Sequence, residues 1–438
     1  MNLLLSNFSL AWRNLWRNRR RSFVTISSLA FGFAAITLFS GYVRAIYNVL
    51  GNVSIHSEAI GHLQINKRGL QTEGKLHPAK YLLNEAAIAK ISQAVHRAAP
   101  NAKIMPRLSV MGLLSNGQAS TIFVGRGIAP DDFAAMRGPF RDFPGALSNE
   151  NPHGITLGEG LANTLKLRLG DSGSILASTI HGQANAADVD VTGAFNTSNL
   201  LTNDKLILMP LNMAQDILDA KGRAESLTIM LPVAAPPKHK ISLPEAVRMA
   251  YQQMPPQEEE TNALRSRIMA ELKASGLDQE MEISTWQEMS IFYGQSRKML
   301  EMIFTMMFIV VLSIVVLSIA NAMSMSVVER TREIGTLRAI GLRRSGISAM
   351  FACEAVLLVI LGTASGVLLA TLTRYGVNAA EIMWMPPNSS QAIQMYIGFD
   401  MLRTVVAGIA LAALAVFAAF VPARRAAGNS ITESLGHV

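Results

Sequence analysis

The chain contains one cysteine, Cys353, in 438 residues. A lone thiol excludes disulfides within the chain and any metal site built on several cysteines. The eight histidines are scattered from His56 to His437, and none forms an H-E-x-x-H pair or a comparable ligand cluster. No G-x-S-x-G elbow precedes a helical pattern, which removes the usual sign of a serine nucleophile. The segment GLQTEGKL offers Gly69, Gly74 and Lys75 to a P-loop, but Leu76 stands where the Mg²⁺-binding hydroxyl is needed. Catalytic residues are therefore not expected, and neither is ATP hydrolysis by this chain. Aromatics make up only 6%, and there is no internal repeat.

What the chain has in abundance is apolar length. Half of its residues are hydrophobic, and the mean hydropathy is +0.27. Uncharged runs extend over Ser22–Val43, Met302–Val328 and Thr404–Ala423, and a fourth over Ser345–Thr373 is interrupted only by Glu354. A hydrocarbon core of about 30 Å needs roughly 20 such residues in a helix. The expected fold is an α-helical membrane protein with four transmembrane helices and a large α+β extracytoplasmic domain between the first two. The expected division is a cytoplasmic or interfacial helix over 1–21, spans at 22–47, 298–328, 345–374 and 403–423, and an outer domain at 48–297. A cytoplasmic loop over 329–344, a short outer loop over 375–402 and a tail over 424–438 complete it.

A pI near 9.7 raises the question of nucleic-acid binding. The location of the charge answers it. Twelve arginines and three glutamates lie before span one, between spans two and three, and after span four, so these segments alone exceed the net charge of +8. This is the positive-inside pattern, with both termini and the 329–344 loop in the cytoplasm. Nucleic acid is not an expected partner. The first apolar run is too long for a secretory signal and lacks an A-x-A site, so it reads as a retained span. Ahead of it Phe8, Trp12, Leu15 and Trp16 share a helical face turned from Arg13 and Arg17, which suits a helix in the membrane interface or a plain extension of span one.

The outer segment mixes strand patterns with helical ones. HLQIN (62–66), STIFV (120–124), ADVDVTGAF (187–195), KLILM (205–209), SLTIML (226–231) and MEIST (281–285) read as strands. Ile88, Ile91 and Val95 repeat at helical spacing, as do Leu264, Ile268 and Leu272 before a stop at Gly276. The stretch 232–261 is rich in proline and charge and reads as an insertion or mobile lobe.

The strongest local signal is VVERTREIGTLRAIGLRRSGI (327–347). Glu329 and Glu333 lie four residues apart, flanked by Arg330, Arg332 and Arg338, while Ile334, Leu337 and Ile340 form an apolar stripe. Gly335 and Gly341 permit close approach or end a turn. A short amphipathic helix of this kind suits a groove on a partner protein; the alternative is a solvated connector. Glu354, the acid inside span three, is expected to pair with Arg343 or Arg344 near the interface, or else to serve an ion path.

Four segments together resemble a known family. ERTREIGTLRAIG (329–341), FACEAVLLVILGTASGVLLA (351–370), VPARRAAGNSITESL (421–435) and AWRNLWRNRRRSF (11–23) are similar to the signatures of FtsX-like, MacB-type (type VII) ABC transporter permeases. LGEGLANTLKLRLGD (157–171) and the stretches 191–218 and 283–289 resemble the lipoprotein-releasing LolC/LolE branch, from which 232–261 departs. The resemblance implies a permease paired with a second copy or a paralogue and driven by a dimeric ABC ATPase that holds ATP and Mg²⁺, with no cofactor on this chain. It implies ATPase coupling through Glu329, Arg330, Arg332, Glu333, Gly335, Arg338 and Gly341. It also implies extraction or export of a lipoprotein, lipid or amphiphile by mechanotransmission, with membrane lipid and a periplasmic lipoprotein, carrier or adaptor as further partners. A fused ATPase domain is absent from these residues, so the ATPase is expected on a separate subunit. An FtsX-like relay to a cell-wall hydrolase is the alternative function.

Overall fold

A computed structural model describes residues 11–74, 76–137, 147–197, 199–232, 249–385 and 392–428. It divides into a unit of residues 1–45, 298–382 and 395–438 and a unit of residues 46–297 and 383–394.

The first unit holds most of the length of the apolar helices. Among the described residues four helices are long and apolar enough to cross a membrane: Arg19–Ser57, Ile291–Glu329, Arg344–Ala379 and Met401–Phe420. Their shared core gathers Leu29, Phe33 and Ile36 of the first, Val315 and Ile319 of the second, Phe351 and Leu358 of the third, and Leu411 and Ala415 of the fourth. Close approach between the first and third rests on two glycines four residues apart. A Cβ on Gly362 would meet Leu29 Cβ at 2.5 Å, and one on Gly366 would meet the Ala30 carbonyl oxygen at 2.9 Å. Small residues at this spacing let helix backbones pack closely in lipid, where apolar burial between helices gains little. Span two packs least, with 11% of its most apolar window buried.

Among the described residues the second unit is α/β, organised around one nine-stranded sheet: β1 (Leu63–Lys67), β2 (Lys103–Ser115), β3 (Ser120–Ile128), β4 (Gly154–Gly158), β5 (Ser172–Ser178), β6 (Ala184–Phe195), β7 (Leu206–Pro210), β8 (Ser226–Met230) and β9 (Met281–Thr285). Strand order β3-β7-β4-β6-β5-β2, with β2 returning to pair β3, closes a six-stranded ring. Its interior is filled by Val110, Leu114, Phe123, Ile175, Val191 and Ile207. Closure removes free edges from a sheet that would otherwise expose two.

β2 belongs to two layers. Its first residues, Lys103–Arg107, leave the ring and pair with β8. An antiparallel sheet β2-β8-β1-β9 results. Helices Glu85–Ala98 and Glu258–Ala274 cover it, burying Ile91, Val95, Leu264 and Ile268 on Leu63, Ile65, Leu227 and Ile283. The second helix starts at a reciprocal capping box between Gln257 and Glu260. Residues 257–261 thus open a core helix, which corrects their assignment to an insertion; 233–248 lie outside the described residues.

Candidate functional site

The site grows from a break in the helix at the arginine-rich end of the bundle. Span two ends at Glu329, Arg330 leaves helical geometry with φ −113° and ψ 17°, and a nine-residue helix Thr331–Ala339 follows. Its far end is set by Gly341, whose φ of 103° suits glycine. Gly341 N–H donates to the Arg338 carbonyl and Leu342 N–H to that of Leu337, both at 3.0 Å. These two bonds close a Schellman motif and turn the chain into span three.

Arg330 anchors this connecting helix. Its Nη1 donates to Glu354 Oε2 at 3.5 Å, with side-chain exposures of 8% and 5%. Its Nε donates to Glu333 Oε2 at 2.9 Å, and the guanidinium lies 5.9 Å from the Phe351 ring centroid. Ser326 Oγ donates to the other oxygen of Glu354 at 3.5 Å. Glu354 therefore pairs with Arg330 rather than with Arg343 or Arg344. Those two open the helix of span three about 15 Å away at 1.5 Å rise per residue, and both are exposed.

The segment ahead of span one joins the same network. Residues 11–17 are helical. Arg17 Nη2 donates to Glu333 Oε1 at 2.9 Å, and Arg21 Nη1 and Asn18 Nδ2 both donate to Glu329 Oε2 at 3.1 Å. Partial burial pushes the Glu333 carboxyl up, but hydrogen bonds and charge from Arg330 and Arg17 outweigh it and hold the group below its ordinary range.

Ile334 and Gly335 of the connecting helix are buried, whereas Arg332, Leu337, Ile340 and Gly341 are exposed and Arg338 is half-buried. The apolar stripe is thus split. Ile334 joins the bundle core with Leu15, Ile347 and Met350, and Leu337 and Ile340 remain uncovered. An exposed Ile at 79% beside three arginines is suited to a partner groove.

A second surface has no counterpart in the sequence reading. On the outside of the ring, Leu113 of β2 stands in register with Ile122 of β3 and Leu176 of β5. Leu176 is in turn opposite Ala186 of β6, so one exposed apolar row crosses four strands. Among the described residues no group of His, Cys, Asp and Glu could hold a metal ion. In the P-loop-like segment Leu70–Glu73 forms a four-residue helix behind Gly69, and Lys75 lies outside the described residues.

The FtsX-like permease C-terminal domain matches residues 305–431, and the MacB-like periplasmic core domain matches residues 22–239. The chain belongs to the FtsX-like, MacB-type permeases. It is a membrane protein with a periplasmic domain, and its relatives are permease components of ABC transporters. The macrolide export ATP-binding/permease protein MacB of Hahella chejuensis is 36% identical over 129 residues, covering 29% of this chain and 18% of that protein. The protein of the same name in Shigella boydii is 30% identical over 141 residues, covering 32% and 20%. The aligned segment thus spans about a fifth of the length of these relatives. The periplasmic region of MacB from Actinobacillus actinomycetemcomitans aligns with a TM-score of 0.32 and 12% identity, covering 52% of this chain and 92% of that one.

Proposed function

We propose that this permease couples ATP hydrolysis by a separate ABC ATPase dimer to extraction or export of a lipoprotein, lipid or amphiphile by mechanotransmission. The observation that carries the reading is the connecting helix Thr331–Ala339, pinned at one end by Arg330 to Glu354 and closed at the other by Gly341. A helix fixed to the bundle at its root, with Arg332, Leu337 and Ile340 exposed, can receive a push and pass it to spans two and three. Glu329, Arg330, Glu333 and Gly335 hold it in place, and Arg332, Arg338 and Gly341 shape the face and end offered to the ATPase.

In this reading the arginine-rich end and both termini are cytoplasmic, the membrane is the bacterial inner membrane, and ATP and Mg²⁺ reside on the partner. A second copy or a paralogue packs on span two, whose apolar surface is the least covered within the bundle. The row Ile122, Leu113, Leu176 and Ala186 is the contact for the amphiphilic substrate or for a periplasmic carrier or adaptor. Because the MacB relatives are named for macrolide export, an amphiphilic small molecule belongs to the same substrate class.

A relay to a cell-wall hydrolase is the second reading, motivated by the FtsX-like match at 305–431. The MacB-like match across the large outer domain favours transport. Purification of the tagged chain from native membranes, with mass spectrometry of what accompanies it, tests both. A P-loop ATPase together with a lipoprotein or periplasmic carrier supports transport, and a murein hydrolase supports the relay. Arg332→Glu is expected to leave membrane insertion intact and abolish transport. Full transport with normal ATPase association in that variant would discard the coupling assignment.

A further inference from the structure

The arginine-rich end of the bundle contains a cavity of about 910 Å³ between residues 12–17 and the connecting helix. Trp12, Arg13, Asn14 and Trp16 line one side, and Arg330 and Leu337 line the other. Its polar groups are mismatched in kind. Glu333 is the one acceptor carboxylate on the wall, and it already receives hydrogen bonds from Arg17 and Arg330. Asn14 Nδ2 is buried without an acceptor among the described residues. The Arg13 guanidinium also lacks an acidic partner among them, whereas Arg17 and Arg21 have theirs. The cavity therefore offers donors in search of an oxyanion.

Its apolar walls narrow the choice of anion. Trp12 and Trp16 are 46% and 65% exposed, next to the start of a membrane-spanning helix. Indoles at that depth favour the headgroup level, where an apolar ring and a polar edge are both accommodated. Soluble phosphate would satisfy Arg13 and Asn14 but leave both indoles and Leu337 against water. A glycerophospholipid satisfies both halves, with phosphate on the donors and glycerol and acyl carbons along the rings.

We infer that this cavity is a binding site for an anionic phospholipid of the adjacent leaflet, with Arg13 and Asn14 on its phosphate and Trp12 and Trp16 along its upper acyl chains. The bound lipid rests on the connecting helix beside Glu333 and Leu337. Local lipid composition would thereby reach the element proposed to couple transport. The inference requires only that the helices span a membrane, and it stands or falls apart from the transport reading.

The test is native mass spectrometry of the full chain, purified in mild detergent and supplied with phosphatidylglycerol or phosphatidylcholine. Wild type should retain one phosphatidylglycerol per chain in preference to phosphatidylcholine. Arg13→Ala should lower that retention about fivefold, the usual effect of one arginine at an anionic membrane surface. Asn14→Leu should lower it as well, and Arg13→Lys should restore most of it. Arg20→Ala removes an equal charge from the same end outside the cavity and should leave retention unchanged. Equal losses in Arg13→Ala and Arg20→Ala would mean diffuse attraction and overturn the site. Displacement of the lipid by millimolar inorganic phosphate would assign the cavity to a soluble anion and overturn it too. Loss of a co-purifying protein with unchanged lipid would make the cavity a protein-docking surface, which also overturns it.

Discussion

Arg330 and Arg107 are buried to the same degree, each 6% exposed, yet the two units of this protein treat them differently. Arg330, in the membrane unit, has Glu333 at 2.9 Å, Glu354 at 3.5 Å and the face of Phe351. Arg107, in the periplasmic unit, donates from Nη1 to the Ile60 carbonyl at 3.4 Å and to Thr228 Oγ1 at 3.3 Å, both neutral. Burial, reinforced by repulsion from Arg126, pushes its pKa down to about 9 despite an opposing pull from Glu225. The periplasmic core thus accommodates a cation among neutral acceptors, still charged at pH 7. At the arginine-rich end of the helix bundle an equally buried charge is instead matched by two carboxylates.

The largest effect should come from breaking the membrane pair. Glu354→Leu removes the more buried of Arg330's two carboxylates, leaves Glu333 as its acidic partner, and should cost up to about 3 kcal/mol. Cys353, the single thiol, is buried next to Glu354, so its labelling rate on heating reports unfolding of this unit. The double variant Glu354→Leu, Arg330→Met replaces the pair by apolar groups and should recover most of the lost stability. Double and single variants of equal instability would mean that charge matching is not what the membrane unit requires.

Acid should weaken the other side of the comparison. Burial, with repulsion from His56 second, pushes the His62 pKa down to about 3 from an ordinary value of 6.5. Between those values the unfolded chain binds the proton that the folded one refuses. Stability is therefore complete above pH 6.5 and falls as pH drops toward 3, by about 2 kcal/mol at pH 5 from His62 alone. Trp286, 1% exposed, reports this unit once Trp12, Trp16 and Trp384 are replaced by Phe. His62→Asn should flatten the acid limb, and an unchanged limb would remove His62 as its cause.

Gly341→Ala sharpens the contrast inside the membrane unit by disturbing the end of the connecting helix opposite Arg330. A Cβ at φ 103° meets no neighbour, so the cost is conformational, about 1–2 kcal/mol. Hydrogen exchange should quicken over 331–342 and transport should fall, while Cys353 labelling changes little. Unaltered exchange there would show that the Schellman turn does not hold this helix.

Periodicity alone makes parts of this fold legible in the sequence. The Ile88, Ile91 and Val95 spacing lies in the helix Glu85–Ala98, and MEIST is β9. Three strands of the nine-stranded sheet escaped for physical reasons. β2 carries Pro106 and Gly112 and changes sheets midway, so its inward face switches along its length. All five residues of β4 are buried, which erases alternation. β5 is small and serine-rich, with only Ile175 and Ala177 buried. The partner of Glu354 was hidden for a different reason. Sequence gives separation along the chain, and Arg330 reaches Glu354 only because the helix breaks between Glu329 and Thr331. The exposed row on the ring depends on register across four strands, which no single segment displays.

The smallest prediction tests whether the two units can be perturbed separately. Asn84 Oδ1 accepts a hydrogen bond from Ala87 N–H at 2.9 Å and caps the helix Glu85–Ala98, which covers the periplasmic sheet. Asn84→Ala leaves that amide to water and should cost about 1 kcal/mol. The loss should appear in Trp286 fluorescence during unfolding and be absent from Cys353 labelling. A change confined to Trp286 means that each unit carries its own stability. A matching shift in Cys353 labelling would mean that both unfold as one cooperative body. Arg330 and Arg107 would then draw on a single reserve of stability, and the difference in their partners could no longer be read as each unit's own requirement.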